Sequence, residues 1–156
     1  MIIRKALLED IPAITNLGES LTALHKGFDP EYYTFDEEGF SASFSDWLNS
    51  QIPLPSSLFL VSIENGKVIG FLSGFIKYLF PWYKIKKVGH ISFTMIDENF
   101  RGRGIGRSLF FEAAGWFKQQ DLNYIELYAN EKNSMGLEFW KSCGFSDFQK
   151  FLRKKI

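Results

Sequence analysis

Cysteine and histidine are scarce in this 156-residue chain, and neither sign of charge is in excess. The single cysteine, Cys143, excludes an internal disulfide, and with only two histidines a structural zinc site is not expected. Basic and acidic residues number 18 each, so no overall field favours a nucleic acid or an anionic membrane. An apolar stretch long enough for a signal peptide or a membrane span is missing too, from which we expect a cytoplasmic protein without a membrane or nucleic-acid partner.

Two common phosphate-binding motifs are also absent. A P-loop closes with Gly-Lys followed by Ser or Thr, but here Gly106 is followed by Arg107 and Ser108. A dinucleotide-binding fold requires G-x-G-x-x-G after a strand, and the chain has no such spacing. Glycine-rich phosphate binding, if present, must therefore use another pattern.

Glycine is nevertheless concentrated at one place, in Gly102, Gly104 and Gly106. These residues lie between an apolar run, residues 90–96, and an amphipathic segment, residues 109–117, which predicts a strand, a glycine-rich turn and a helix. Without side chains over the turn, consecutive backbone N–H groups can point at one spot beside the positive end of the helix dipole. The pattern predicts an anion-binding cradle, with phosphate as its ligand.

Arg101, Gly104 and Gly106 resemble the Arg/Gln-x-x-Gly-x-Gly/Ala signature of the GCN5-related N-acetyltransferase (GNAT) family. Residues 2–6 and the apolar helix after them resemble its opening elements, and Asn133 with residues 139–145 resembles its last motif. The resemblance covers nearly the whole chain. It implies a single α/β domain over residues 1–156, with a mixed sheet of about six to seven strands, helices on both faces, and a wedge where the fourth and fifth strands splay apart.

Apolar periodicity gives the expected elements in more detail. A helix is predicted at residues 11–24 and one or two short helices within 28–49. The dipeptide Asn65-Gly66 suits a tight hairpin turn, and Asn133 suits a helix N-cap. The remaining expected elements are strands at residues 58–63, 68–78, 86–96 and 124–129, helices at 109–117 and 134–142, and a further strand within 145–152.

The family resemblance also implies the cofactor, acetyl-coenzyme A. The loop would hold its pyrophosphate, the backbone near Met95 and Ile96 would bind its pantetheine arm, and Asn133 and Trp140 would lie beside it. The loop residues concerned are Arg101, Gly102, Arg103, Gly104, Ile105, Gly106, Arg107 and Ser108. The implied reaction is direct acetyl transfer to a primary amine of a small molecule or peptide. A coenzyme-A-binding regulatory module without turnover, and a phosphate-binding protein of unrelated fold, are the alternatives.

The catalytic groups depart from the commoner family pattern. Many relatives carry an acid on the fourth strand, whereas residues 90–96 contain none. Period-two alternation would put His90, Ser92, Thr94 and Ile96 on one face, and His90 has a pKa suited to proton relay. A half-buried structural histidine, a water chain ending on Ser92, and an acid elsewhere are left open.

The acid for the leaving thiolate is the second departure. The usual family tyrosine is replaced by Trp140, whose indole N–H donates hydrogen bonds but is no proton acid at physiological pH. Either the thiolate leaves without a side-chain acid or another tyrosine, such as Tyr128, serves. The change also fits a member that has lost transferase activity.

The acceptor amine is expected to meet the segment after the first helix. Asp29 and Glu31 are candidates to hold an ammonium, and nearby rings are candidates for cation–π contacts. The candidate residues are His25, Asp29, Tyr32, Tyr33, Phe35 and Trp82. An ordinary turn with packed aromatics is the alternative. Residues 78–83 are aromatic enough to line the acceptor groove or a homodimer interface.

Overall fold

A computed structural model describes residues 1–34 and 37–156, which build one five-stranded sheet in the order β1-β2-β3-β4-β5. All neighbouring strands are antiparallel except β4 and β5, which are parallel. The elements are β1 (Ile2–Lys5), α1 (Ile11–Phe28), α2 (Glu37–Gln51), β2 (Ser57–Glu64), β3 (Lys67–Tyr78), β4 (Lys87–Ile96), α3 (Ile105–Gln119), β5 (Ile125–Leu127) and α4 (Ser134–Ser142). In the described residues no helix is both long and apolar enough to cross a membrane.

Helices cover both faces of the sheet, which confirms the expected α/β architecture. On one face, the core forms around Leu109 and Phe117 of α3, with Trp140 of α4 packed against it. On the other face, Ile14 of α1 and Leu48 of α2 are fully buried against the sheet. Burial of this apolar surface is the main stabilising contribution to such a fold, and it fixes the strands that carry the site.

The β2–β3 hairpin forms where the sequence predicts it. Asn65 and Gly66 adopt φ angles of 51° and 77°, as a tight turn with positive φ at both central residues requires. The hairpin aligns β3 with β2, and β4 then pairs with the free edge of β3.

At one point of the β3–β4 pairing, β4 has one residue more than β3. Ser73 pairs with Phe93 and Gly74 with Ile91, so Ser92 has no partner on β3 and forms a β-bulge. A bulge inserts an extra residue and reorients the side chains beyond it.

The bulge overturns the expectation that four alternating residues of β4 share a face. Ile91 packs in the core beside α3, so its neighbour His90 faces the opposite side of the sheet. Ile96 also packs against the α3 side. Because Ser92 adds a residue between them, His90 and Ile96 lie on opposite faces. Strict alternation from His90 through Ser92 and Thr94 to Ile96 was therefore a wrong prediction.

β4 and β5 diverge after three paired positions. Their last pair is Ile91 with Leu127, whereas β4 continues to Ile96. Among the described residues, the β5-facing edge of β4 from 92 to 96 has no strand partner. This is the expected splayed wedge, and it opens directly at the bulge.

Strand number and several element ends differ from the sequence expectations. The described chain has five strands, not six or seven, because residues 145–156 form no strand. Phe148 and Phe151 are 80% and 82% exposed, so they do not pack on the sheet. Ion pairs to Asp29 and Glu31 hold this segment instead of strand pairing. α1 extends to Phe28 and thereby includes His25, and residues 37–51 form one helix.

Candidate functional site

A cleft open to solvent lies in the wedge between β4 and β5. Leu21 and His25 of α1 form one side, and residues 91–94 of β4 and 127–129 form the floor and the opposite side. Asn133 and Trp140 close the end next to α4. The cleft therefore gathers predicted residues from five separate parts of the sequence.

The glycine-rich loop forms the start of α3 at the open end of β4. Gly102 and Gly104 have φ angles of 74° and 77°, which favour glycine, and Gly104 is the N-cap of α3. Gly106 has a different reason to be glycine, because a Cβ there would approach the Phe139 ring to 3.2 Å. The turn thus needs its first two glycines for conformation and the third for packing.

Backbone N–H groups around this turn are free to bind a ligand. Within residues 1–34 and 37–156, no protein acceptor pairs with the N–H groups of residues 103–107, and the first bond of α3 is from Ser108 to the Gly104 carbonyl at 3.0 Å. The loop itself is exposed from residue 101 to 104. Unpaired N–H groups at a helix N-terminus form a favourable site for phosphate. The residues present therefore fit the pyrophosphate group of the coenzyme.

The three arginines of the loop have different partners. Arg101 donates from Nε to the Ile96 carbonyl at 3.2 Å and so ties the loop to the end of β4. Arg103 makes a bidentate ion pair with Glu64 at 2.7 and 3.0 Å. Arg107 donates to Ser142 Oγ at 3.0 Å, linking α3 to α4. Arg103 and Arg107 thus brace the loop through contacts that the sequence pattern did not indicate.

Asn133 and Trp140 line the cleft next to α4. Asn133 is the N-cap of α4 and accepts a hydrogen bond from the Gly136 N–H at 3.0 Å, as predicted. Trp140 packs against Phe110, Phe139 and Phe145, with ring centroids 4.7 to 6.1 Å apart. Trp140 is therefore held by aromatic packing and forms a rigid wall of the cleft.

Met95 and Ile96 of β4 are not among the residues that line the cleft. Met95 is buried in the core beneath α1 and α2, and Ile96 packs on the α3 side. Thr94, which lines the cleft, has a buried Oγ1 with no hydrogen-bond partner among the described residues. A buried polar atom without a partner is costly unless a ligand or water pairs with it.

His90 lies beneath Tyr128, at the point where β4 and β5 begin to diverge. It is 8% exposed, and its ring centroid is 5.2 Å from that of Tyr128 and 5.0 Å from that of Phe75. Its Nδ1 has no hydrogen-bond partner among the described residues. Burial, followed by the charge of Lys77, lowers the pKa of His90, although Glu126 acts in the opposite direction. His90 is therefore neutral at physiological pH and able to accept a proton.

Sequence reasoning missed two charged residues beside His90. Glu126 of β5 is its register partner, and Lys77 of β3 pairs with Glu126 at 3.1 Å. The Lys77 ammonium also lies 5.6 Å from the ring centroid of Tyr128. An acid does stand near His90, but on the neighbouring strand. Only the pairing register of β5 could reveal it, and a single sequence does not give that register.

Most of the predicted acceptor residues form one cluster at the end of α1. His25 lines the cleft, its ring contacts Tyr33 at 5.1 Å, and Tyr33 contacts Tyr32 at 4.9 Å. Trp82 lies elsewhere, stacked on Phe80 in an exposed turn, and no contact in the described part of the chain joins it to this cluster. Phe35 lies outside the described residues.

The glycine-rich loop and the wedge both lie in a part of the chain that matches the model of a known protein family. The model of the acetyltransferase (GNAT) family matches residues 21–145, which include the wedge, the glycine-rich loop and α4. The chain belongs to the GNAT family. Members of this family use acetyl-coenzyme A, which agrees with the ligand for which the loop is suited.

Known proteins similar to this GNAT chain include one curated relative and many solved structures. An uncharacterized N-acetyltransferase of Methanocaldococcus jannaschii is 29% identical over 123 residues, which cover 79% of this chain and 52% of the relative. The chain thus spans about half the length of that relative. The tetramutant of the BH1408 protein from Bacillus halodurans has a TM-score of 0.87 at 22% identity, with both chains fully covered.

Two further structural neighbours are described by their ligand or substrate class. A predicted acetyltransferase from Clostridium acetobutylicum, solved with acetyl-CoA, has a TM-score of 0.80 at 18% identity, covering 99% of this chain and 95% of its own. The aminoglycoside 6'-N-acetyltransferase AAC(6')-IG from Acinetobacter haemolyticus, solved apo, has a TM-score of 0.79 at 18% identity, covering 100% and 99%. At these identities the likeness shows the shared GNAT fold.

Proposed function

We propose that this protein is an N-acetyltransferase that transfers the acetyl group of acetyl-coenzyme A directly to a primary amine. The observation that carries the proposal is the row of N–H groups at residues 103–107 that have no protein acceptor among the described residues. They follow β4, whose β5-facing edge has no strand partner from residue 92 to 96 in the described chain. Family membership supports the same cofactor. It also argues against the third possibility considered from sequence, a phosphate-binding protein of unrelated fold.

The cofactor-binding residues follow from this arrangement. The N–H groups of residues 103–107 would hold the pyrophosphate, with Arg101, Gly102 and Ser108 shaping the loop around them. The open edge of β4 at Met95 and Ile96 would bind the pantetheine arm through its backbone, in the manner of an added strand. Asn133 and Trp140 would form the opposite wall. When bound, the coenzyme supplies the acetyl group as a reactive thioester.

The acceptor amine must lose a proton to become a nucleophile. His90 is neutral and can accept this proton, and its position beneath Tyr128 makes a relay through the phenol or a water molecule possible. Ser92, the bulged residue, lines the cleft and offers a second end point for such a water chain. Tyr128 also lines the cleft and is the candidate acid for the leaving thiolate, since Trp140 cannot supply a proton.

The acceptor itself would approach from the end of α1. His25 lines the cleft, and Asp29, Tyr32 and Tyr33 follow it at the entrance, where a carboxylate and aromatic faces favour a cationic amine. A small polyamine, an aminoglycoside and a lysine-containing peptide are all consistent with this chemistry.

The proposal is tested by release of coenzyme A thiol from acetyl-coenzyme A in the presence of spermidine, kanamycin or a lysine-containing peptide. We expect at least one of the three to accelerate thiol release, with the acetylated amine identified by mass spectrometry. Reactions without an acceptor correct for hydrolysis and for the protein's own thiol, Cys143.

The regulatory alternative predicts a different pair of results. Replacement of the usual tyrosine by Trp140 favours it, as does the lack of an acid on β4. In that case acetyl-coenzyme A would raise the midpoint of thermal unfolding while no amine accelerates thiol release. If the midpoint does not rise at saturating coenzyme, both functions are contradicted.

A further inference from the structure

A cationic side chain of the protein itself is seated at the proposed acceptor entrance. The Arg153 guanidinium donates to the Asp29 carboxylate at 2.5 Å, and its central carbon lies 5.2 Å from the centroid of the Tyr32 ring. A carboxylate on one side and an aromatic face on another are the two groups that recognise an organic cation. Arg153 therefore indicates what kind of group Asp29 and Tyr32 can hold together.

Asp29 is preorganised for such a ligand. Its Oδ1 accepts hydrogen bonds from the N–H groups of Glu31 at 3.1 Å and Tyr32 at 3.0 Å, which leaves Oδ2 to Arg153. The Tyr32 N–H, and then the Arg153 guanidinium, hold the pKa of the Asp29 carboxyl below its usual range. The carboxylate is thus ionised and fixed in orientation.

Asp29 lies close to the cleft through its contact with α1. Asp29 lies one helical turn beyond His25, which lines the cleft, and its N–H donates to the His25 carbonyl at 3.2 Å. Lys132 donates to the Phe28 carbonyl at 3.0 Å, which ties this end of α1 to the loop just before Asn133. A cation at Asp29 is therefore held at the edge of the proposed acetyl-transfer site.

The segment that carries Arg153 lies across the entrance but is weakly held. Phe151 reaches Tyr128 on the β5 side, with ring centroids 6.5 Å apart, and Lys155 pairs with Glu31 at 2.9 Å on the α1 side. Phe151 and Leu152 are more than 80% exposed, so little apolar burial holds the segment. Exposed ion pairs contribute little to stability, and a diffusible cation can compete with them.

We propose that Asp29 and Tyr32 form a second cation subsite for the acceptor, and that Arg153 occupies this subsite until a cationic acceptor displaces it. The implied acceptors are amines with two or more cationic groups. One group would bind at Asp29, and another would be the amine that lies in the cleft. The inference rests on the proposed function for its second half, because only a transferase has an acceptor. The cation subsite itself is a binding property and can be measured without turnover.

The test is calorimetric titration of spermidine into the protein without acetyl-coenzyme A. Arg153→Gln removes the internal competitor and is expected to tighten spermidine binding by about two- to fivefold, the range set by a weak exposed ion pair. Asp29→Asn keeps an oxygen for the two N–H groups but loses the charge, and is expected to weaken binding at least about threefold.

Two matched controls separate this effect from a general change in charge. Lys154→Gln removes the same charge one residue away, at a side chain with no hydrogen bond or ion pair among the described residues, and should leave the affinity unchanged. Butylamine has only one cationic group and cannot span both places. Asp29→Asn should therefore lower the acetylation of butylamine much less than it lowers the acetylation of spermidine.

The outcomes distinguish this inference from the proposed function. Equal spermidine affinity in wild type and Arg153→Gln, an affinity insensitive to Asp29→Asn, or no binding to any variant would overturn the subsite. The expected affinity pattern without any spermidine-dependent thiol release would leave the cation subsite standing and contradict its use by an acceptor. Faster thiol release from spermidine by Arg153→Gln at low spermidine concentration would support both.

Discussion

Replacing Gly104 by aspartate is expected to abolish the stabilisation that acetyl-coenzyme A gives to the folded protein. A ligand at about 100 times its dissociation constant stabilises a fold by about 2.7 kcal/mol, which is readily seen in the midpoint of thermal unfolding. The aspartate would place a carboxylate among the N–H groups of residues 103–107, where the pyrophosphate has to bind. We therefore expect a shift in wild type and a shift near zero in Gly104→Asp.

Two further variants isolate the charge as the cause. Gly104→Asn has nearly the same shape, and both Asn and Asp tolerate the positive φ of this position, so the pair differs mainly in charge. We expect Gly104→Asn to retain a clear part of the ligand-induced shift. Gly115→Asp adds the same charge to an exposed position of α3 where a Cβ meets nothing within 4 Å, and should retain the full shift. Equal shifts in Gly104→Asp and Gly115→Asp would contradict phosphate binding at the loop.

Substitution of His90 by glutamine is expected to lower kcat for amine acetylation by about 100-fold, the lower range for loss of a general base. His90 is held neutral by burial and by the charge of Lys77, and its Nδ1 is not used by any described residue. Glutamine is similar in size and polarity but cannot take up a proton near neutral pH. The measurement is steady-state thiol release with the best acceptor.

The pH dependence of kcat is an independent test of His90 as the general base. Because the pKa of His90 is lowered, its basic form persists below the usual value of about 6.5, and the rate should fall only as pH drops further. This acidic limb should disappear in His90→Gln, while the shift in unfolding midpoint with acetyl-coenzyme A should remain. Unchanged kcat in this variant, with a large loss in Ser92→Ala, would instead assign proton removal to the water chain at the bulge.

The cofactor-binding part of the candidate site can be predicted from the sequence better than the catalytic part, because its features are local. Gly102 and Gly104 need positive φ angles, and Asn133 caps a helix, so their roles are local and can be inferred from neighbouring residues. The turn at Asn65 and Gly66 is local in the same sense. Such features depend on a few consecutive residues, and the structure agrees with the sequence at each of them.

Features that depend on strand register could not be predicted in this way. The bulge at Ser92 depends on how β4 pairs with β3, and it separates His90 from Ile96 although their spacing suggests one face. The proximity of Glu126 to His90 likewise depends on the register of a three-residue strand. Sequence periodicity carries no record of pairing partners that lie 36 residues or so apart along the chain.

Residues 145–156 illustrate a further limit. Their apolar residues suggested a strand, but Arg153 and Lys155 pair with carboxylates of Asp29 and Glu31 just after α1, 124 positions away in sequence. The same contacts that make the strand prediction wrong also give the acceptor entrance its internal cation. Long-range ion pairs of this kind leave no local signal.

Backbone amide resonances, followed during titration with acetyl-coenzyme A, would show whether coenzyme binds at the start of α3 and along the open edge of β4. We expect the largest chemical-shift changes at residues 103–107, with a second group at 92–96. Little change would be expected on the distant hairpin turn at Asn65 and Gly66. Saturable changes confined to other parts of the protein, or no changes at millimolar coenzyme, would contradict coenzyme binding at these two places.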